Sequence, residues 1–293
     1  MIEGNLSNAA STIRSQLGSR IVFIAANTLI GLVAIIGNTL LLASVNKTRA
    51  LQTISNAFVC SLALADLLVG LIAAPLNILR VESTHNAFNK AFDLSVIHSL
   101  VAATFSLTAV SCDRFIAISR PLRYPSLMTP KVTTKVLALI WFTATIEAIP
   151  SVFLYGRALM VYWVTHVILT VMLPACVVIV CYVKIFKIAK RHSRDERVRP
   201  SAAVVDATFS VNYHNSNAAQ TFAIIIAIFV VSFLPNLVCN LMDAALYAAR
   251  DGMLPEYFFW SNCVMFLSSA INPMIYGARN KEFRSAFKRL CLI

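Results

Sequence analysis

The sequence predicts an all-α membrane protein, a bundle of seven transmembrane helices followed by a short amphipathic eighth. Three observations carry this. Charged residues make up 13% of the chain and hydrophobic ones 58%, against roughly 25% charged in a soluble domain, and mean hydropathy is +0.74. Seven apolar runs, about 21–45, 54–79, 90–119, 133–154, 160–189, 218–247 and 256–277, can each cross a hydrocarbon core of ~30 Å at ~1.5 Å per residue. The bases between them are unevenly shared. With the N-terminus outside, segments 46–53, 120–132, 190–217 and 278–293 lie inside, and with each helix end assigned to its nearer face 19 of the 25 Lys and Arg fall inside against 6 outside. That asymmetry sets orientation.

The expected organisation is an extracellular N-terminus over 1–20, a seven-helix domain over 21–277, and an amphipathic helix with a short cytoplasmic tail over 278–293. The first twenty residues are polar and show no removable signal peptide, so the first run serves as the insertion signal. A multi-pass plasma-membrane protein is expected. The net charge of +12 reads as topology signal in loops, not as a nucleic-acid surface. The seven cysteines include no CxxC and none in an outer loop, so no extracellular disulfide framework is expected. Cys239 and Cys263, in the outer parts of adjacent runs, are left as a candidate pair. Asn5-Leu6-Ser7 is a sequon on the outer side. Asn46-Lys47-Thr48 falls inside and is expected to stay unmodified.

Taken in order, the first run holds Gly37-Asn38 and the second Leu64-Ala65-Asp66. Asn38 and Asp66 are polar at membrane depth, where a carboxylate must face the bundle interior or water. A structural Asp and a cation or proton site are both open readings. The third run, about 30 residues or ~45 Å long, must tilt or project. It ends in Ser111-Cys112-Asp113-Arg114-Phe115, an ion-pairable couple at a membrane edge. Arg120-Pro121-Leu122-Arg123-Tyr124-Pro125 follows as a turn-rich basic loop. The fourth run contains Trp141, Glu147 and Pro150. The fifth has Pro174, which should bend it, then Tyr182, and ends on Lys184, Lys187, Lys190 and Arg191 along one face, either solvated or against anionic lipid. Segment 190–217 is polar and reads as flexible. The sixth run contains Phe229, Phe233, Leu234 and Pro235, and the seventh Asn272-Pro273-Met274-Ile275-Tyr276. Beyond it Phe283, Phe287 and Leu290 recur at i, i+4, i+7 opposite bases, which suits a helix in the inner membrane interface. Cys291 is a candidate palmitoylation site.

In that order, one set per helix, these motifs resemble the rhodopsin-like (class A) G-protein-coupled receptors over nearly the whole chain. The resemblance implies a receptor, not an enzyme, that binds an extracellular ligand and activates a heterotrimeric G protein. It implies that Arg114 is a switch residue restrained by Asp113, with Tyr182, Pro273 and Tyr276 moving to meet it. Pro174, Phe229, Phe233 and Pro235 would form the activation core. Asn38, Asp66, Ser268 or Ser269 and Asn272 would hold a structural sodium ion, with Asp66 its charged ligand. No other cofactor is implied.

The departures narrow the class. The usual cysteine near the outer end of the third helix is Asn89, and the loop near 154–160 is short and lacks Cys, as in melanocortin-like receptors. The usual helix-three serine of the sodium site is Ala103, and the usual helix-six tryptophan is Phe233. Phe266 replaces the retinal lysine, and Val96 replaces the carboxylate that grips amine transmitters. The acid that often opposes Arg114 is Asn215. Asn240 matches a position used by adenosine receptors, without its helix-seven partner.

The expected ligand pocket is lined by Val96, Ile97, Leu100, Phe233, Leu237, Asn240, Asn262 and Phe266, mostly apolar with two amides. Asp93, Asp243 and Glu147 suggest a cationic peptide or small molecule, although Asp93 and Asp243 also read as solvated partners of Lys90 and Arg250. Two of the acids in the melanocortin pattern are absent, at Leu76 and Asn89. A non-signalling binding receptor is the alternative within the same fold. A transporter or channel would want repeated halves or charged rings, and an intramembrane enzyme a nucleophile and base. Neither pattern occurs. His98 and His166 stand alone in apolar runs and read as structural.

Overall fold

The computed structural model describes residues 2–83, 85–198, 224–225, 227–242 and 256–291. All regular structure among them is helical. We number the long helices α1 (Ile2–Lys47), α2 (Ile54–Glu82), α3 (Asn86–Ser119), α4 (Pro130–Phe153), α5 (156–198), α6 (Ala227–Met242), α7 (Glu256–Arg279) and α8 (Lys281–Cys291). Six of the first seven are long and apolar enough to span a membrane, and α6 is a shorter apolar helix. The chain is therefore a multi-pass helical bundle. Asn215, Asp243 and Arg250 lie outside the described residues, as do the side chains of Asn5, Lys190 and Arg191.

Two helix ends differ from the sequence reading. Helix α1 begins at Ile2, not near 21, and runs 46 residues. Helix α5 continues through 198, into the segment read as flexible. Hydropathy marks where a helix leaves lipid. The backbone stays helical beyond that point because no proline interrupts either stretch.

Helix α3 is 34 residues long, about 51 Å at ~1.5 Å per residue, and packs against α2, α4 and α5. Helix α1 packs against α2 and α7. The approach of α1 to α7 depends on Gly37. A Cβ there would lie 2.9 Å from Cγ of Pro273, so glycine lets the two helices meet at the proline. Thr53 and Thr129 cap α2 and α4 with their hydroxyls, satisfying a free first-turn amide in each. Gly156 opens α5 with φ 54°, a left-handed conformation suited to glycine, and so permits the two-residue link from α4.

Prolines act through local rewinding. A π-helical turn over Ile168–Met172 precedes Pro174, and another over Val69–Ala73 precedes Pro75. Such a turn absorbs the amide hydrogen bond that proline cannot make. The α8 helix starts on Asn280, whose Oδ1 accepts from the amides of Glu282 and Phe283 at 2.8 and 3.3 Å. Its apolar face does not only meet lipid. Phe283 is buried, 5.6 Å from the Tyr276 ring, and Phe287 sits against Gly277. Cys291 is exposed at its end.

Candidate functional site

The bundle carries chemistry at three levels. At the α3 end nearest the basic turn, the Asp113 carboxylate is fully buried. It accepts from Arg114 Nη2 at 3.0 Å and Nε at 3.2 Å, from the Tyr124 hydroxyl at 2.8 Å, and from the Ser55 hydroxyl of α2. Burial, and then the Asp113 carboxylate, raise the Tyr124 pKa. The phenol therefore stays protonated and donating at neutral pH. Four donor contacts on one carboxylate offset the cost of burying its charge. Sequence adjacency identified Asp113 and Arg114. Ser55 and Tyr124 were not given this role, because their segments meet α3 only through packing.

From Arg114 a line of polar groups leads inward. The Tyr182 hydroxyl is buried beside Ser111 and within electrostatic reach of Arg114. Tyr276 is buried within electrostatic reach of both Tyr182 and Asp66. Asp66 accepts from Asn272 Nδ2 at 2.8 Å, and Asn38 Nδ2 donates to the carbonyls of Ala34 and Ser269 at 2.9 and 3.0 Å. The serine beside Asp66 is Ser269. Ser268 instead donates to Met265 of its own helix at 2.8 Å, since successive residues on a helix point about 100° apart. Among the described residues, Asn38 Oδ1 and Asn272 Oδ1 are buried and accept nothing. One carboxylate with two unengaged amide oxygens is an all-oxygen set of the hard kind that suits a small hard cation. Pro273, Pro174 and Phe233 are buried, and Phe229 and Pro235 are half-buried in α6.

At the opposite end, a cavity of about 290 Å³ is lined by α2, α3, α5, α6 and α7. Of the expected pocket residues, Asp93, Val96, Asn240 and Asn262 line it. Leu100, Phe233 and Phe266 instead pack with Val96 and Phe92 in one buried cluster, with Leu237 against it. Ile97 belongs to the larger core with Leu62 and Ala144. These residues stabilise the wall and do not form its surface. Glu147 is not among the residues lining this cavity: its carboxylate lies 3.3 Å from Nδ1 of His166, and Tyr162 donates to its carbonyl. So His166 does not stand alone. His98 meets the Trp141 ring at 5.5 Å and Thr145 at 3.4 Å. Cys239 and Cys263 are free thiols directed to separate partners, Tyr257 and Asn27.

The sequence reading did not single out Arg80. Its guanidinium lies 4.2 Å from the Phe92 centroid and 5.4 Å from that of Phe259, and it lines the cavity. Lys90 donates to Ser151 at 3.0 Å and to Leu154, and its ammonium sits 3.7 Å over the Tyr155 ring. Asp93 lies within electrostatic reach of Arg80 and Lys90.

A chain of amides leaves the cavity wall. Asn240 donates to Asn236 Oδ1 at 2.9 Å, and Asn236 donates to Asn262 Oδ1 at 2.8 Å. Asn262 donates to Asn77 at 3.4 Å, Asn77 to Asn27 at 3.1 Å, and Asn27 to the Ala74 carbonyl at 2.7 Å. All but Asn240 are buried. Polar residues at depth in four separate runs were the available signal.

The model of the 7 transmembrane receptor (rhodopsin family) matches residues 37–276, and the chain belongs to that family. Among similar proteins, trace amine-associated receptor 7c of Rattus norvegicus is 30% identical over an alignment covering 92% of this chain and 82% of that protein. Trace amine-associated receptor 9 of the same species is 30% identical, covering 92% and 86%. Trace amine-associated receptor 7d of Mus musculus is 29% identical with similar coverage. Members of the family are receptors and not enzymes.

Proposed function

We propose that this receptor sits in the plasma membrane with its N-terminus outside, binds a ligand in the cavity beside Asp93, and activates a heterotrimeric G protein at the Asp113 end. The observation that carries this is the buried Asp113 carboxylate, which takes donors from Arg114, Ser55 and Tyr124. It holds the guanidinium in, and Tyr182 and Tyr276 lie behind it toward Asp66. Breaking the contact with that carboxylate frees Arg114 to face a partner. The uneven distribution of Lys and Arg supports the orientation. A sodium ion would be held by Asp66 with Asn38 and Asn272, supplying a positive charge that offsets a buried carboxylate. Glycosylation at Asn5, palmitoylation at Cys291 and contact of the basic α5 and α8 faces with inner-leaflet lipid follow from the same orientation.

The test measures ligand-independent nucleotide exchange in membranes, with cAMP and calcium read in cells at matched surface density. Asp113→Asn, which weakens the restraint, should raise basal exchange severalfold. Arg114→Ala in the Asp113→Asn background should return it to the level of untransfected membranes. Exchange that persists in the double variant would remove Arg114 from the mechanism.

A further inference from the structure

The cavity's charge balance argues against a cationic ligand. Among the described lining residues the charged ones are Arg80, Lys90 and Asp93, which together carry one net positive charge. Among those residues Asp93 is the only acid, and it lies within electrostatic reach of both cations. An incoming amine would find that carboxylate screened and two like charges beside it, an arrangement that repels.

Arg80 is the unusual group. It forms no salt bridge among the described residues, where the ion pairs involve Arg20, Arg114 and His166. Its Nε is buried without a hydrogen-bond partner. The rings of Phe92 and Phe259 hold the guanidinium, which leaves the donors in its plane as the reactive edge. A buried donor with no acceptor is costly to keep. That cost is removed by a group that accepts two parallel hydrogen bonds along one edge, which is what a carboxylate offers. Lys90 is largely committed to two carbonyls and a ring, so it contributes field more than contact. The rest of the wall combines aromatic surface from Phe92, Tyr155, Trp163 and Phe258 with the Asn236 and Asn240 amides. A volume of about 290 Å³ lies near the lower bound for small-molecule sites, roughly 300–1,000 Å³, too small for a peptide.

We propose that the cavity binds a small carboxylic acid with an apolar body, its carboxylate on the Arg80 guanidinium. This rests on the receptor reading above but is tested without the G protein. Purified receptor in detergent at neutral pH is titrated with phenylpropanoate, decanoate, phenylpropanamide and phenylethylamine, with binding read from the rise in unfolding temperature. At least one acid should bind saturably and better than the matched amide and amine. The aromatic acid winning points to a soluble metabolite, and decanoate winning to a lipid-derived acid. Arg80→Gln should weaken the acid by about tenfold or more, as loss of a bidentate charged contact does. Arg80→Lys, which keeps charge but not the fork, should fall between. Asp93→Asn should tighten acid binding, because it removes a negative charge that repels an incoming carboxylate. An amine that binds best and loses affinity in Asp93→Asn would overturn the proposal. So would neither acid saturating, or acid affinity unchanged in both Arg80→Lys and Asp93→Asn. Because binding is read on the receptor alone, failure to couple to a G protein leaves this result intact.

Discussion

Asn262 is the point at which the amide chain crosses from α6 to the rest of the bundle, and Asn262→Leu tests what that crossing contributes. Asn262 accepts from Asn236 at 2.8 Å and donates to Asn77 at 3.4 Å. The longer contact is near the limit of a useful hydrogen bond, so its loss matters little. The shorter one joins two buried side chains on different helices. Interhelical bonds of this kind in membranes average ~0.6 kcal/mol and reach ~1.7. Without Asn262 the Asn236 amide keeps only Ser261 at 3.4 Å, so the upper half of the range applies, about 1–1.5 kcal/mol. At about 2–4 °C per kcal/mol for a chain of this size, the unfolding temperature should fall by roughly 3–5 °C. Asn236→Leu should cost more, because Asn240 also loses an acceptor while keeping the Asn236 carbonyl. The double variant is decisive. With both amides gone, neither is left facing an apolar partner, so its loss should fall short of the two single losses combined by about 1 kcal/mol. Thermal melts of the four proteins in one detergent measure this. Strict additivity would show that the 2.8 Å contact contributes no coupling and would refute the reasoning.

Two further outcomes follow from the α1–α7 contact and the polar centre. Gly37→Ala puts a methyl 2.9 Å from the Pro273 ring, which cannot rotate away, so α1 and α7 must part at a cost of about 1–3 kcal/mol; an unchanged melt would show slack at that contact. Replacing choline chloride by sodium chloride at ten times the sodium dissociation constant should stabilise the receptor by about 1.4 kcal/mol, and Asp66→Asn should abolish the difference; an equal sodium response in that variant would exclude Asp66 as the ligand.

The spans were readable because each apolar run ends on bases or turn residues, and the lipid boundary is written in side-chain chemistry. Helix ends were not, since Ile2 to Ser19 and 190–198 are helical without being apolar. Asp113 and Arg114 were readable because they are neighbours in sequence. Their other partners, Ser55 and Tyr124, come from α2 and the turn after α3 and show no local pattern. The cavity lining was half readable. Asp93, Val96, Asn240 and Asn262 line the cavity, but Leu100, Phe233 and Phe266 are packed behind its wall. Distinguishing a wall from its backing needs the rotation of each helix, and a helix that is apolar nearly all round does not reveal it. Arg80 was hidden for a different reason: a base at the end of an apolar run is usually a topology signal.

The amides also explain how the bundle is divided. Helices α1, α2 and α7 each supply one member to the cavity-side layer, Asn27, Asn77 and Asn262, and one to the inner layer, Asn38, Asp66 and Asn272. Within each helix the two are ten or eleven residues apart, about three turns or ~16 Å. These three helices are therefore bonded at two heights, and α6 joins them through Asn236. Helix α3 enters neither layer. Ala103, the residue that the resemblance sets at the inner layer, is buried. The side-chain bonds of α3 go instead to α2, through Ser106 and Ser61 and through Asp113 and Ser55, and to α4, through His98 and Thr145 and through Lys90. Between α3 and α6 the described residues show no side-chain hydrogen bond. The contact there is apolar, with Val96 and Leu100 in one cluster with Phe233. Sliding apolar surfaces exchanges one set of packing contacts for another, whereas parting the amide layers would leave buried donors and acceptors unmatched. Rearranging the described α3–α6 contact thus costs less than parting the amide layers.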